Sequence, residues 1–261
     1  MGRHRPAVGY TLPQANQPHP TPLMARLPRF ILPGVPQHVL QRGNNRRQIL
    51  FREEDYWFLW EKIGTAAERF ACRIHAYCLM PNHLHLLLTP LHEDGIGKLM
   101  QYVGRYYVQY FNSGNDRTGT LWDGRYRATL LDPADWMIPV SRYVEGNPVR
   151  AGLVSTPADY AWSSFAANAT GAPDRLVTAS ADYERLGRGP KTRQAAYAKG
   201  FATPPDEARL TRIRDATNKA WVLGDAAFCA MVEERLNRRT SPRARGGDRR
   251  SAAYRMAAGR P

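Results

Sequence analysis

The chain has 261 residues, which suits one compact domain with appendages or two small domains, and 43% of them are hydrophobic, as in ordinary globular proteins. The 37 Lys and Arg outnumber the 23 Asp and Glu, which gives a net charge of +14. Such a cation attracts polyanions, and nucleic acid is the commonest one inside cells, although a merely basic protein is the simpler alternative.

Cysteine content and apolar run length exclude two further classes. The cysteines are Cys72, Cys78 and Cys229, an odd number without metal-ligand spacing, so no disulfide framework is indicated. A reducing cytoplasm is therefore favoured. No stretch approaches the ~20 apolar residues needed to span a membrane, so no membrane partner is expected.

Apolar periodicity and turn signals predict the secondary structure. Residues 1–23 are rich in Pro and polar residues and are predicted to be a disordered leader, with Met24 as a candidate natural start. We predict strands at 36–41, 72–80, 83–90 and from Leu121 or after Gly124 to Leu131, and helices at 53–70, 95–111, 132–146, 206–219 and 225–237.

Two of these elements carry detailed local signals. The alternation in 72–80 predicts one shared face for Cys72, Ile74, Ala76, Cys78 and Met80. Asp132 and Pro133 have the residue types of a helix cap and a first helical position, and Pro139 could kink the helix that follows.

The predicted order of elements is strand, helix, strand, strand, helix, strand, helix. This order indicates an α+β protein with a ferredoxin-like antiparallel sheet, helices packed on one face and one extra helix. We predict a main domain at 24–170, a linker and helical extension at 171–237, and a disordered Arg-rich tail at 238–261, which is typical of segments that bind polyanions non-specifically.

His83 and His85 are candidate metal ligands. Side chains two apart on a strand share a face, so two imidazoles would project side by side while Leu84 and Leu86 face the core. Neutral imidazole binds transition metals, but two ligands hold an ion weakly and a third is expected. The alternative is that both are incidental polar residues. Leu87 stands where many zinc hydrolases carry an Asp, which disfavours that class.

Several motifs, taken in order, resemble those of one family. They are LMPNHLHLLLTP at 79–90, LWDGRYRATLL at 121–131 and RYVEGNPVRAGLV at 142–154, with similar flanks at 27–51 and 159–167. Over about residues 24–170 the chain resembles the REP-associated tyrosine transposases, which are bacterial single-tyrosine enzymes of the His-hydrophobic-His nuclease superfamily.

This resemblance implies a fold, a reaction and a set of site residues. The fold is ferredoxin-like. A helix-borne tyrosine attacks single-stranded DNA, leaves a 5′-phosphotyrosine link and a free 3′-hydroxyl, and is displaced by a second strand end. By motif match the nucleophile is Tyr143, and His83, His85 and Asn147 hold a divalent metal, Mg²⁺ or Mn²⁺. The implied partner is hairpin DNA of repeated palindromes, the implied place is the bacterial cytoplasm and nucleoid, and either a monomer or a homodimer is compatible.

The chemistry is compatible with these residues. A phenol has a pKa of about 10 and needs help to attack at pH 7, which a divalent ion can supply at the phosphate. Tyr143 and Asn147 are four residues apart, so they share one face of a continuous helix. Pro148 disfavours a helical Asn147, which could instead cap the next helix or, if the helix bends, serve both roles.

Competing tyrosines and candidate DNA contacts complete the site predictions. Tyr143 could also be a core residue, and the other candidate tyrosines are Tyr106, Tyr107, Tyr110 and Tyr126.

Interleaved Arg and aromatic residues suit phosphate contact and base stacking. The predicted DNA-binding residues are Arg42, Arg46, Arg47, Trp122, Arg125 and Arg127. For Trp122 the alternative is packing in the core.

Three functions are therefore open from the sequence. The first is a metal-dependent tyrosine transposase that nicks and rejoins single-stranded DNA. The second is a catalytically silent protein that binds hairpin DNA on the same fold. The third is a rolling-circle type of initiator or nickase. The NPVRAGLV motif at 147–154 favours the transposase over this third function.

Overall fold

The computed structural model describes residues 29–204 and 206–242, so the predicted leader and the tail beyond Pro242 lie outside the described residues. Four strands form one antiparallel sheet in the order β2-β3-β1-β4. They are β1 (Gln37–Arg42), β2 (Cys72–Met80), β3 (His83–Pro90) and β4 (Arg127–Leu130). This order is that of the ferredoxin-like fold, and it confirms the predicted fold class.

Two helices cover one face of the sheet. They are α1 (Glu53–Arg69) and α2 (Gly95–Gly114). Leu84, Leu86 and Leu88 of β3 turn toward these helices and lie in the largest apolar cluster, with Ile63 and Leu99 from the helices. The alternation expected for β3 is therefore present, and the even-numbered leucines leave the odd-numbered positions for the other face.

A third helix, α3 (Pro133–Glu145), lies on the opposite face. Asp132 caps it by accepting a hydrogen bond from the amide of Ala134, and the helix continues through Pro139. The expectation of helices on one face thus holds for α1 and α2. The other face is also partly covered, because it too presents apolar residues, Leu87 among them, that need burial.

The predicted single apolar face of β2 is wrong. Cys72 and Ile74 belong to the cluster beneath α1 and α2, whereas Ala76, Cys78 and Met80 pack toward α3. The pairing of β2 with β3 shifts register between Ile74 and Ala76. An extra residue at a bulge reverses which side chains point to each face, and no periodicity in the sequence signals it.

Six further helices follow α3 in the described residues. They are α4 (Asn147–Arg150), α5 (Phe165–Thr170), α6 (Ala181–Glu184), α7 (Pro190–Lys199), α8 (Glu207–Lys219) and α9 (Ala226–Leu236). The predicted linker and helical extension at 171–237 therefore contains α6 and α7 in addition to the two predicted helices, α8 and α9. Among the described residues no helix is long and apolar enough to cross a membrane.

Residues beyond the sheet cover its β4 edge. Leu223, in the loop between α8 and α9, forms a bridge with Leu131, and its amide donates to the carbonyl of Leu130 at 2.8 Å. Phe30 and Val232 pack against Leu130 from the two ends of the described chain. This edge is therefore paired at Leu130 and Leu131 and covered there by apolar side chains, which limits the backbone that an open edge would expose.

Candidate active site

Strand register places the histidine pair at one end of the sheet. His83 lies opposite Arg42 of β1 and Met80 of β2, and His85 lies opposite Leu40 and Cys78. The two imidazole centroids are 4.9 Å apart, and the rings are nearly perpendicular. The side-by-side projection predicted from the spacing is therefore present.

Asn82 fixes the orientation of the His83 ring. The amide nitrogen of Asn82 donates to the carbonyl of Arg46, which leaves its Oδ1 as the atom 2.6 Å from Nδ1 of His83. Since an amide oxygen only accepts, Nδ1 of His83 carries the proton. Its Nε2 then has a lone pair, as a metal ligand requires.

A third histidine contacts the pair. His38 on β1 is 1% exposed, stacks on His85 with centroids 5.0 Å apart, and places its Nε2 2.8 Å from Nδ1 of His85. The other nitrogen of His38 lies 2.9 Å from the hydroxyl of Thr217 on α8. The sequence interpretation missed His38 because its side of β1 follows only from the pairing of β1 with β3.

The three imidazoles are held neutral. Burial lowers the pKa of His38 to about 3 and that of His83 to about 4, with smaller effects of Arg150 on His38 and of Arg42 on His83. For His85 burial is again the largest cause, and its pKa lies well below the usual value. Neutral rings at pH 7 are the form that coordinates metals.

Tyr143 on α3 contacts this histidine cluster. Its ring centroid is 6.0 Å from that of His85 and 5.7 Å from that of His38, with edge-to-face geometry in both cases. Arg150 on α4 places its guanidinium 4.4 Å from the centre of the Tyr143 ring and donates to the Tyr143 carbonyl. The candidate nucleophile and the histidine pair are therefore brought together.

The other candidate tyrosines are engaged elsewhere. Tyr107 is buried and donates to the carbonyl of Ile49, and Tyr110 donates to Asp55. Tyr126 lies under the guanidinium of Arg29, 3.5 Å from its ring centre. Tyr106 is 40% exposed on α2, on the face of the sheet away from His85. Among the tyrosines of the described residues, only Tyr143 has a ring contact with the histidine pair.

Asn147 lies at a bend between two helices. α3 ends at Glu145 and α4 begins at Asn147, so the helix is interrupted at Gly146, and Gly146 occupies the cap position of α4 that was left open for Asn147. The Asn147 amide nitrogen donates to the carbonyls of Tyr143 at 3.0 Å and Val144 at 3.1 Å. Its Oδ1 has no protein partner within the described residues, so an acceptor atom remains one helical turn from Tyr143.

These residues fit a divalent ion. The donor set would be Nε2 of His83, Nε2 of His85 and Oδ1 of Asn147, which is a mixed nitrogen and oxygen set suited to an ion such as Mn²⁺. In the described ranges, no cluster of three or more His, Cys, Asp or Glu side chains could hold a metal. An ion here would therefore need the Asn147 amide and oxygen atoms of a substrate.

A cavity of 430 Å³ adjoins Tyr143. Arg142, Arg150 and Arg209 line it together with the hydroxyl-bearing Thr156. Three guanidinium groups beside a phenol make a suitable environment for phosphate oxygens.

The predicted DNA-binding residues lie near the histidine end of the sheet. Arg42 is half-buried, whereas Arg46 and Arg47 are exposed on and after a short 3-10 turn (Asn44–Arg46). Trp122 bridges to Gly43, but its ring is half-buried 5.9 Å from that of Tyr107, which agrees with the packing alternative left open above.

Arg125 and Arg127 line a second basic cavity, of 410 Å³. Both are exposed, and Arg127 donates to the backbone and side-chain oxygens of Asn218 on α8, each at 2.9 Å. Arg29 and Lys219 add positive charge, and Tyr126 and Trp221 add aromatic surface. The Arg and aromatic residues of the motif at 121–131 therefore line one cavity, together with Arg29, Lys219 and Trp221 from other parts of the chain.

Comparison with known proteins matches residues 34–147 to the family described as "Transposase IS200 like". This segment contains His83, His85 and Tyr143 and ends at Asn147. A solved REP-associated tyrosine transposase bound to a REP hairpin is 20% identical, with 60% of this chain and 93% of that chain covered and a TM-score of 0.47.

A second solved structure, of a protein from Deinococcus radiodurans described as a transposase, is 22% identical over 47% of this chain and 97% of that chain, with a TM-score of 0.33. No curated protein matches. The resemblance inferred from the motifs is thus supported: residues 34–147 match the model of the IS200-like transposases.

Proposed function

We propose that this protein is a transposase that nicks and rejoins single-stranded DNA in a metal-dependent reaction, with Tyr143 as the nucleophile. The observation that carries the proposal is the contact of the Tyr143 ring with His85, beside a second imidazole whose Nε2 is unprotonated. A phenol, two imidazoles and an amide oxygen are the groups that such a phosphoryl transfer needs. They come from separate elements: β3 and α3 are in contact through the rings of His85 and Tyr143, and Asn147 begins α4 one helical turn after Tyr143.

The proposed reaction exchanges one phosphodiester bond for another. The Tyr143 hydroxyl loses its proton and its oxygen bonds to phosphorus, while the bond from phosphorus to the 3′-oxygen breaks and that oxygen takes up a proton. The 5′-phosphate is then linked to Tyr143, and a second 3′-hydroxyl reverses the step to rejoin strands. When bound, a divalent ion would polarise the phosphate and offset its developing charge.

Protein groups around Tyr143 would position the strand. Arg42 lies opposite His83 in the strand pairing, and Arg142, Arg150 and Arg209 line the cavity that adjoins Tyr143. Guanidinium groups bind phosphate oxygens in a fork geometry and retain their charge at all relevant pH values. A strand could therefore run from the basic turn at Arg46 past the histidine pair.

The proposed substrate is a DNA hairpin of repeated palindromes. The order of the three motifs at 79–90, 121–131 and 142–154 supports this branch of the family. The basic cavity lined by Arg125, Tyr126 and Trp221 supports it further, because stacking surfaces and cations together suit unpaired bases beside a hairpin.

The test is formation of a covalent protein–DNA adduct on a single-stranded hairpin oligonucleotide with Mn²⁺. Wild type should form the adduct, and chelation of the metal should abolish it. Tyr143→Phe should lose it by more than about 100-fold while binding the oligonucleotide normally, because only the attacking oxygen is removed. Tyr106→Phe is the matched control, since Tyr106 is exposed on α2, and should behave as wild type.

Each contrary outcome has a defined meaning. An adduct formed by Tyr143→Phe at the wild-type rate would show that another residue attacks. Hairpin binding without any adduct in wild type would favour the catalytically silent DNA-binding protein. Cleavage of the strand without preference for a hairpin would favour the initiator or nickase.

A further inference from the structure

Thr217 on α8 has its hydroxyl proton already committed. Its Oγ1 lies 2.7 Å from the carbonyl oxygen of Ile213, one turn earlier in the same helix. A carbonyl oxygen can only accept, so the hydroxyl hydrogen lies in this contact. The oxygen of Thr217 is then left as an acceptor for Nδ1 of His38, 2.9 Å away.

That acceptor determines the proton positions of two imidazoles in turn. His38 donates from Nδ1 to Thr217, and a neutral imidazole has only one ring proton, so Nε2 of His38 accepts. Its partner at 2.8 Å is Nδ1 of His85, which must therefore carry the proton. Nε2 of His85 is left with its lone pair.

We propose that Thr217 and His38 are positioning residues that fix the proton of His85 on Nδ1 and thereby keep its Nε2 ready to bind a divalent metal. The inference rests on the proposed metal-dependent function, and neither residue would touch the metal or the DNA. Partners that orient a ligating histidine through its second nitrogen are a common feature of metal sites.

Burial makes this arrangement dependent on Thr217. His38, His85 and Thr217 are 1%, 2% and 3% exposed, so water has little access to replace the threonine oxygen. His83 differs, because its Nδ1 is fixed by the neighbouring Asn82. The His83 ring is thus oriented by its neighbour Asn82. The His85 ring is oriented through His38 by Thr217 of α8, a helix that lies outside the matched segment 34–147.

A second histidine–threonine pair in the same sheet serves as a control. Nε2 of His75 on β2 lies 2.9 Å from the hydroxyl of Thr89 on β3, and Nδ1 of His75 lies 2.7 Å from the carbonyl of Thr178. Because the Thr178 carbonyl only accepts, Nδ1 of His75 donates to it and Nε2 of His75 accepts from the Thr89 hydroxyl. Loss of the Thr89 hydroxyl therefore removes a histidine–threonine bond of the opposite direction, at a histidine that does not contact His83 or His85.

The experiment combines nitrogen NMR of histidine rings with Mn²⁺ binding by calorimetry, both on the full chain. In metal-free wild type, His83 and His85 should each show a protonated Nδ1 and an unprotonated Nε2. Thr217→Val should give His85 a mixture of both forms and weaken Mn²⁺ binding by about tenfold or more. Thr217→Ser should restore both readouts, and Thr89→Val should change neither.

Specific results would overturn the inference. A proton on Nε2 of His85 in metal-free wild type would do so whether or not any variant folds. Unchanged Mn²⁺ affinity in a folded Thr217→Val would do so as well. If wild type bound no Mn²⁺ at all, the proposed metal-dependent function would fail, while the ring protonation of His85 would still decide the role of Thr217.

Discussion

One guanidinium group contacts both the backbone and the ring of the candidate nucleophile. Arg150 donates to the carbonyl of Tyr143 and lies 4.4 Å from its ring centre. The backbone contact restricts the position of the tyrosine, and the guanidinium is attracted to the face of its ring by a cation–π interaction. Arg150 is therefore placed to act on Tyr143 as it attacks, as well as to bind phosphate.

Replacing Arg150 tests this contact. Arg150→Gln should slow adduct formation by roughly tenfold, because a partly desolvated cation–π contact is worth about 1 to 2 kcal/mol. The measurement is the single-turnover rate at saturating oligonucleotide. Arg212→Gln is the matched control, since Arg212 lies 4.5 Å from the ring of Trp136, and should keep the wild-type rate. Equal rates in both variants would exclude a role for Arg150 in the step.

Residues of the site differ in how far the sequence predicts them. His83, His85 and Tyr143 stand in motifs with a fixed spacing, and strand alternation alone puts both imidazoles on one face. His38 and Thr217 carry no such signal. Their contact depends on the register of β1 with β3 and on the way α8 packs against the sheet, which are tertiary properties.

At the scale of elements, one buried carboxylate holds α3 to the helices that follow it. Glu145 accepts hydrogen bonds from Ser164 at 2.5 Å, Asn168 at 2.7 Å and Tyr197 at 2.7 Å. Asn168 also donates to the carbonyl of His75 on β2. Because Tyr143 precedes Glu145 by half a turn of the same helix, this network sets the position of the nucleophile against the sheet.

The protonation of Glu145 gives a pH-dependent stability. Burial raises its pKa from 4.5 to about 7. The folded protein therefore binds a proton that the unfolded chain has lost between these values, so this group's contribution to the free energy of unfolding falls as pH rises from about 4.5 to about 7. The loss amounts to roughly 3 kcal/mol and is complete above that range.

Glu145→Gln should remove this dependence, since the amide stays neutral. Chemical denaturation at several pH values should show the variant gaining roughly 3 kcal/mol on wild type between pH 5 and pH 8. Glu61→Gln, on the exposed side of α1, should run parallel to wild type. A difference between Glu145→Gln and wild type that does not vary with pH would mean that Glu145 is ionised throughout.

Element boundaries were the part of the fold most accessible from sequence. β2 and β3 begin and end where alternation and Pro81 predict, and Asp132 caps α3. The bulge in β2 and the second covered face were missed because neither changes the local pattern. Helices α5 and α7 were missed because their apolar contacts are with each other and with α3, and few lie on a regular stripe.

At the scale of the whole molecule, the positions of the basic residues decide where the net charge of +14 can bind a polyanion. The basic turn at Arg46 is joined to the histidine end of the sheet, because Asn82 donates to the Arg46 carbonyl and its other amide atom holds His83. Composition predicted a polyanionic partner. It could not predict where that partner would lie, since location depends on how the strands are ordered.

The salt dependence of hairpin binding should report this placement. Arg46→Gln combined with Arg47→Gln should lower the slope of log affinity against log salt by roughly 1 to 1.5, because each lost phosphate contact on single strands removes about 0.7. The control is Arg69→Gln combined with Arg73→Gln. Arg73 pairs with Thr89, at the end of the sheet opposite Met80 and His83. Equal slopes for the two double variants would place the strand elsewhere.

The position of Thr217 in the chain has a consequence for the order in which the site is completed during protein synthesis. Synthesis proceeds from the amino terminus, so His83, His85 and Tyr143 are all made before α8. A nascent or prematurely terminated chain that stops in the α7–α8 loop would have the nucleophile and both histidines, yet no Thr217 oxygen to accept from His38. Such a chain would bind the metal less tightly than one that contains α8, so its cleavage of DNA would be weaker until Thr217 has been made and α8 has packed against His38.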